Sequence, residues 1–454
     1  MGGLLFGYDW VVIGGAKPFY EVYFHITSYA SLQGLAMGSA LIGCIAGSLL
    51  SGTLSDRYGR KYPLIFSGML FLIGAVGTCF SGTFTSFIIF RAIGGVGIGL
   101  ASNLSPVYIA EVAPAEIRGK LVSINQLAIV LGILLAQVIN WQVAKPVPYG
   151  YSELEILSSW NGQSGWRWMF LITGLFALVF IFLMFFVPES PRWLLKSGEI
   201  VKAKNIFERI SRNSMGHLQK EDSFRTEIIS DNYFSKLFRP GVKRIIILGV
   251  VLAVFQQWCG INIIFNYAED IFKKAGYGIN DLLFNIVLTG SVNLAFTLIA
   301  MYAVDKFGRK PLMLAGAASL ALEYIIIGIL YSISYRGIFL LAMVVISIGT
   351  YALTLAPLTW VILSEIFPNQ IRGVAMSVAT LSLWIACLIL TYSFPVLTSR
   401  FSLSGTFWIY SGVCIAGFIF ILFELPETKG KTLEEIENQL LESKIQRTRN
   451  LGSN

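Results

Sequence analysis

Apolar residues in this chain gather in long runs instead of alternating with polar ones. Runs near 32–53, 63–82, 86–108, 119–142, 166–187, 243–266, 282–303, 311–332, 337–363, 373–398 and 405–425 are each about 20 residues long, enough to cross a bilayer core as helices. The opening stretch MGGLLFGYDWVVIGG has the same character and makes a twelfth, although Asp9 stands in its middle. This first span is expected to be short, with Met1 eight residues before Asp9, and the natural N-terminus to be longer. Neither a basic leader nor a small-residue cleavage site suggests a signal peptide.

Composition moves the same way. The chain is 55% hydrophobic and 13% charged, with a mean hydropathy of +0.69, against about 25% charged in soluble domains. The pattern predicts an all-α membrane protein. Placing the 55–62 loop in the cytoplasm puts the 34 Lys and Arg on that side, apart from Lys17, Lys145, Arg167, Lys273, Lys274, Arg336 and Arg400 outside and Arg91 within a helix. Both termini are then expected in the cytoplasm. The net charge of +8 fits basic loops facing anionic membrane lipid and not nucleic acid, since no basic stripe interleaved with aromatics is present. Cys44, Cys79, Cys259, Cys387 and Cys414 fall in predicted spans without metal-ligand spacing, so they read as small buried apolar residues, and no metal or other cofactor is expected.

The chain repeats itself once. GTLSDRYGRKYPL at 52–64 returns as MYAVDKFGRKPLM at 301–313, YIAEVAPAEIRGK at 108–120 as ILSEIFPNQIRGV at 362–374, and VPESPRW at 187–193 as LPETKGK at 425–431. Three motifs in one order predict two pseudo-symmetric six-helix bundles, 1–190 and 241–425. A polar stretch at 191–240 is expected to form a cytoplasmic helical linker, and 426–454 a cytoplasmic tail. Gly59, Gly119, Gly308 and Gly373 suit tight turns.

These motifs resemble the sugar porter family of the major facilitator superfamily, in a pattern most similar to bacterial proton-coupled sugar symporters of the xylose type. The resemblance covers nearly the whole chain. It implies that Asp56, Arg57, Arg60, Glu111 and Arg118, with Asp305, Arg309, Glu365 and Arg372, form an intracellular gate of ion pairs that separates as the halves rock. Anchoring of the spans by positive charge is the plainer reading of the same residues.

Amides inside the spans require partners, because an unsatisfied polar group in hydrocarbon costs several kcal/mol. The resemblance places Gln126, Gln256, Gln257, Asn262 and Asn293 among its sugar-binding positions, and amides match hydroxyls, which both donate and accept. On an unbroken helix Gln257 and Asn262 would point about 140° apart, so Gly260 is expected to unwind the segment and let both converge. Trp360 and Trp384 match tryptophans that lay a ring on the sugar's C–H face, and Pro357 is expected to loosen the helix before Trp360. Ile133, Asn266 and Leu383 depart from the family pattern, which suggests a pentose or deoxysugar.

Asp9, Arg91 and Glu323 are the charges expected within spans. Each of the first two costs roughly 2.5–3.5 kcal/mol if unpaired at mid-membrane, and the resemblance maps them onto the carboxylate and arginine of proton-coupled carriers. Facilitative glucose carriers have a neutral amide in place of the aspartate. The expected function is proton-coupled uptake of a monosaccharide, a pentose or hexose, by alternating access, carried out by a monomer in the cell membrane. A uniporter with a structural Asp9/Arg91 pair is the alternative, followed by a transporter-like sugar sensor. An enzyme is not expected: His25 and His217 are the only histidines, and no catalytic constellation accompanies them.

Overall fold

The computed structural model describes residues 1–113, 118–147, 152–210, 240–274, 279–367, 372–429 and 435. In chain order the helices are α1 (Gly2–Tyr23), α2 (Ala30–Tyr58), α3 (Lys61–Cys79), α4 (Phe84–Val112), α5 (Arg118–Val143), α6 (Glu153–Ser158), a π-helical turn (Asn161–Gly165), α7 (Trp166–Phe186), α8 (Pro191–Lys196) and α9 (Ile200–Ile210). The second half contains α10 (Pro240–Trp258), α11 (Ile261–Asn266), α12 (Ala268–Lys274), α13 (Ile279–Phe307), α14 (Arg309–Ser332), α15 (Ile338–Leu353), α16 (Leu355–Ile366) and α17 (Arg372–Glu424).

Among the described residues, ten stretches are long and apolar enough to cross a membrane. The longest, within α17, divides at Ser402, whose φ of 62° and ψ of 174° break the helix. α1 falls below the hydropathy of the others because it carries Asp9, Lys17 and Glu21, yet its 22 residues reach about 33 Å. With α1 added and α17 divided there are twelve spans, in a fold without strands among the described residues. The first span is therefore of full length, not short. It runs on through Lys17, expected outside the span, and through Pro18.

α2 packs on α4, α1 on α5, and α3 on α4 and α7, while in the second half α10 and α14 pack on α17 and α13 on α15. The halves meet where α17 lies on α2, α13 on α5, and α1 on α11 and α12. With little hydrophobic drive between helices in lipid, such contacts depend on close backbone approach. Gly43 of α2 faces the Ala92 carbonyl of α4, and Gly95 of α4 faces the Ala40 carbonyl, so that a Cβ at either would collide with backbone. This seam carries Arg91 into the first bundle. On the outer faces Phe182, Phe185 and Phe186 of α7 and Phe423 of α17 are exposed, as lipid-facing residues should be.

Three details refine the expected elements. Gly59 and Gly308 do turn the chain with positive φ, but Gly119 and Gly373 lie in the first turns of α5 and α17. The 337–363 run is broken between α15 and α16 at Thr354 (φ −119°, ψ −85°). Pro357 explains the break, because its ring clashes with the carbonyl four residues back, at Leu353. Of the stretch 191–240, α8 and α9 lie between the halves, and 211–239 falls outside the described residues, as does most of 426–454.

Candidate functional site

The charges of α1 and α4 meet inside the first bundle. Arg91 Nη1 donates to Asp9 Oδ1 at 2.9 Å and Nη2 to the Asp9 carbonyl oxygen at 3.3 Å. The guanidinium also lies 5.2 Å from the centre of the Phe170 ring of α7, a cation–π contact. Asp9 is 5% exposed and Arg91 3%. A buried pair of this kind repays desolvation only when its geometry is good, and here Asp9 Oδ2 and Arg91 Nε remain without hydrogen-bond partners. The pair is held without being saturated.

The helix carrying Gln256 and Gln257 ends at Trp258, and Gly260 follows in the left-handed region at φ +89°. α11 restarts at Ile261, which rotates Asn262 back toward Gln257. Asn262 Nδ2 donates to Gln257 Oε1, and Gln257 Nε2 donates to Gln256 Oε1 at 2.7 Å. Asn262 Nδ2 also lies 3.9 Å from Cys387 Sγ, one turn beyond Trp384 on α17. The unwinding expected at Gly260 thus occurs, and it joins three amides into one buried chain. All three are at least nine-tenths buried.

Trp384 of α17 is buried, and its Nε1 has no hydrogen-bond partner. Its ring meets Phe6 and Trp10 of α1, each at 5.7 Å between centroids. Phe6 and Trp10 were not anticipated from sequence, although Trp10 is the immediate neighbour of Asp9. The aromatic contact places the residue after the buried carboxylate against the second half. Gln126 is half-buried on α5, Asn293 buried on α13, and Trp360 half-buried on α16. α5 and α13 pack together, with Gln137 of α5 against Gly290 of α13.

The repeated motifs build the same device twice. Arg60 Nη2 donates to Glu111 Oε1 at 2.9 Å and Nη1 to the Ser55 carbonyl at 3.0 Å. Arg309 Nη2 donates to Glu365 Oε1 at 3.1 Å and Nη1 to the Val304 carbonyl at 3.3 Å. Ser190 Oγ donates to Glu111, and Thr428 Oγ1 to Glu365. Glu189 accepts from the backbone N–H of Arg60 at 2.8 Å, and Glu427 from those of Arg309 and Lys310 at 3.1 Å. Each carboxylate therefore sits at the positive end of a helix, α3 or α14. Burial pushes the Glu427 carboxyl up, but N–H bonds from Lys429, Arg309, Lys310 and Thr428 outweigh this and hold it below the usual carboxylate range.

Each of these Arg–Glu pairs closes within its own half. Asp56 instead pairs with Lys196 of α8 at 3.2 Å, and Arg57 lies over the Tyr58 ring at 5.3 Å. The side chains of Arg118, Asp305 and Arg372 lie outside the described residues. A cluster missed in the sequence lies at the opposite end of the molecule. Lys17, expected in an outer loop, is 2% exposed inside α1 and pairs with Glu21 at 3.3 Å and with Glu269 and Asp270 of α12 at 2.9 Å each. This cluster ties α1 of the first half to α12 of the second. Glu323, for which the sequence offered no role, accepts from Thr350 Oγ1 of α15 at 2.7 Å and bridges two helices of the second half.

The profile describing sugar (and other) transporters matches residues 1–440. The D-xylose-proton symporter of Escherichia coli (strain K12) is 38% identical over 467 residues, covering 96% of this chain and 93% of that one. The arabinose-proton symporter of Bacillus subtilis (strain 168) is 37% identical over 441 residues, covering 96% and 92%. Among solved structures, the inward-open xylose transporter from E. coli superposes with a TM-score of 0.83 at 37% identity, covering 96% of this chain and 97% of that one.

Proposed function

Because the chain belongs to the sugar transporter family, and is thus an integral membrane protein and not an enzyme, we propose that it carries a monosaccharide into the cell in symport with a proton. The observation that carries the reading is the buried Asp9–Arg91 pair in a membrane-spanning bundle. An intramembrane carboxylate is expensive and marks a proton or ion pathway. In the cell membrane, with both termini cytoplasmic, a proton arriving from outside neutralises Asp9 and frees Arg91. The sugar-loaded carrier then rocks inward, and loss of the proton inside restores the pair.

Gln256, Gln257 and Asn262 offer a neutral amide chain to the sugar hydroxyls. Gln126, Asn293 and Trp360 complete the pocket from α5, α13 and α16, and Trp384 supplies an aromatic wall. With the outer ends joined through Lys17, Glu269 and Asp270, the pocket is closed to the outside. The halves 1–190 and 241–425 move as units about it. The duplicated Arg60–Glu111 and Arg309–Glu365 clusters stiffen each half at its cytoplasmic end, and a single chain suffices for transport.

The reading is tested by melting the purified protein against a panel of pentoses and hexoses at acidic and alkaline pH. A bound sugar stabilises the folded state by about 2.7 kcal/mol at a hundred times its Kd. Linkage further requires that a proton which favours the loaded carrier also tighten sugar binding. At least one sugar should raise the melting temperature, and more so at acidic pH. An unresponsive panel would contradict sugar transport, and a response independent of pH would contradict the proton linkage.

A further inference from the structure

Beside the ion pair lies a cavity of about 10 Å3 lined by Trp10, Met37, Ala40, Leu41, Arg91 and Asn266. This is room for about one water molecule, provided polar partners are present. Two are. Arg91 Nε–H is a donor without an acceptor, and Asn266 Oδ1 is an acceptor without a donor. Both residues line the cavity, and Asn266 is 4% exposed. A water there accepts from Nε and donates to Oδ1, which leaves it a further proton and lone pair. Asp9 Oδ2, the unpartnered oxygen of the same ion pair, belongs to the carboxylate that Arg91 holds.

We infer that this cavity is a one-water site and that Asn266 is a positioning residue joining the sugar segment to the proton site. Asn266 ends α11, the six-residue helix that carries Asn262. A sugar that shifts Asn262 therefore also moves the acceptor at the other end of α11. From there the water passes the change to the free edge of the Arg91 guanidinium. Among the described residues, the other titratable groups bearing on the pair are Tyr8 and Tyr20 of α1 and Cys44 of α2. All are neutral at ordinary pH, so the solvation of the pair rests on the water and not on a further charge. The inference builds on the proton-coupling reading of Asp9.

The test compares wild type with Asn266→Leu, which fills a similar volume without an acceptor, and Asn266→Ser, which keeps an oxygen. Sugar uptake is measured against pH, and sugar binding is followed by tryptophan fluorescence at acidic pH. With the water lost, Arg91 is less well solvated once protonation of Asp9 removes its partner, so the protonated carrier is disfavoured. For Asn266→Leu the pH of half-maximal uptake should fall by about one unit, the size of one lost hydrogen bond to a charged group, while sugar binding at acidic pH is retained. Asn266→Ser should keep the wild-type profile. A Leu profile that overlays wild type, or Leu and Ser profiles that shift alike, would overturn the inference. Asp9→Asn, assayed alongside, separates the two levels: if it keeps the wild-type pH dependence, the proton-coupling reading itself fails, and this inference with it.

Discussion

Replacing Asp9 by Asn should abolish concentrative sugar uptake while leaving exchange of sugar across the membrane intact. The amide matches the carboxylate in shape and still offers Arg91 Nη1 an oxygen where Oδ1 now stands at 2.9 Å, but it cannot take up or release a proton. With one proton per sugar, a gradient of one pH unit drives about tenfold accumulation. The variant should bring the internal to external ratio to one at every pH. Removing one member of a buried pair can cost 3–5 kcal/mol, so the melting temperature of the variant is measured in parallel. Counterflow of labelled sugar then shows that the carrier still turns over. A folded variant that goes on concentrating sugar would make the pair a structural feature of a uniporter.

The second large effect is expected at Gln257. Its Oε1 accepts from Asn262 and its Nε2 donates to Gln256, so Gln257→Ala empties the middle of the chain. Two buried amides then lack partners, each at a cost of about 1–3 kcal/mol, and a sugar hydroxyl loses one as well. Affinity should fall roughly 10–100-fold. Binding measured by calorimetry at a fixed acidic pH checks this. An affinity within twofold of wild type would remove the amide chain from the sugar site.

Much of this is legible in the sequence alone. Hydropathy located the spans, since a bilayer demands long apolar helices, and the repeated motifs announced two equivalent halves. The angular argument at Gln257 and Asn262 called for a break, and Gly260 was the residue able to provide one. What escaped depended on contacts between segments far apart in sequence. Lys17 was expected outside the membrane, and only Glu269 and Asp270, some 250 residues on, make its burial tolerable. Trp10 carried no signal of its own, and its place is set by Trp384, which meets it from the other half. Asp56 matched the gate motif, but the partner it finds is Lys196, in a polar stretch with no such signal. Asn266 stood out only as a departure from pattern, because a cavity shared by α1, α2, α4 and α11 leaves no trace in any one of them.

The most direct test of proton-coupled transport is to add sugar to lightly buffered proteoliposomes containing the wild-type protein, with membrane potential clamped, and follow external pH. The account predicts immediate alkalinisation outside, with about one proton entering per sugar and none without sugar. Sugar entry with no accompanying movement of protons would contradict it.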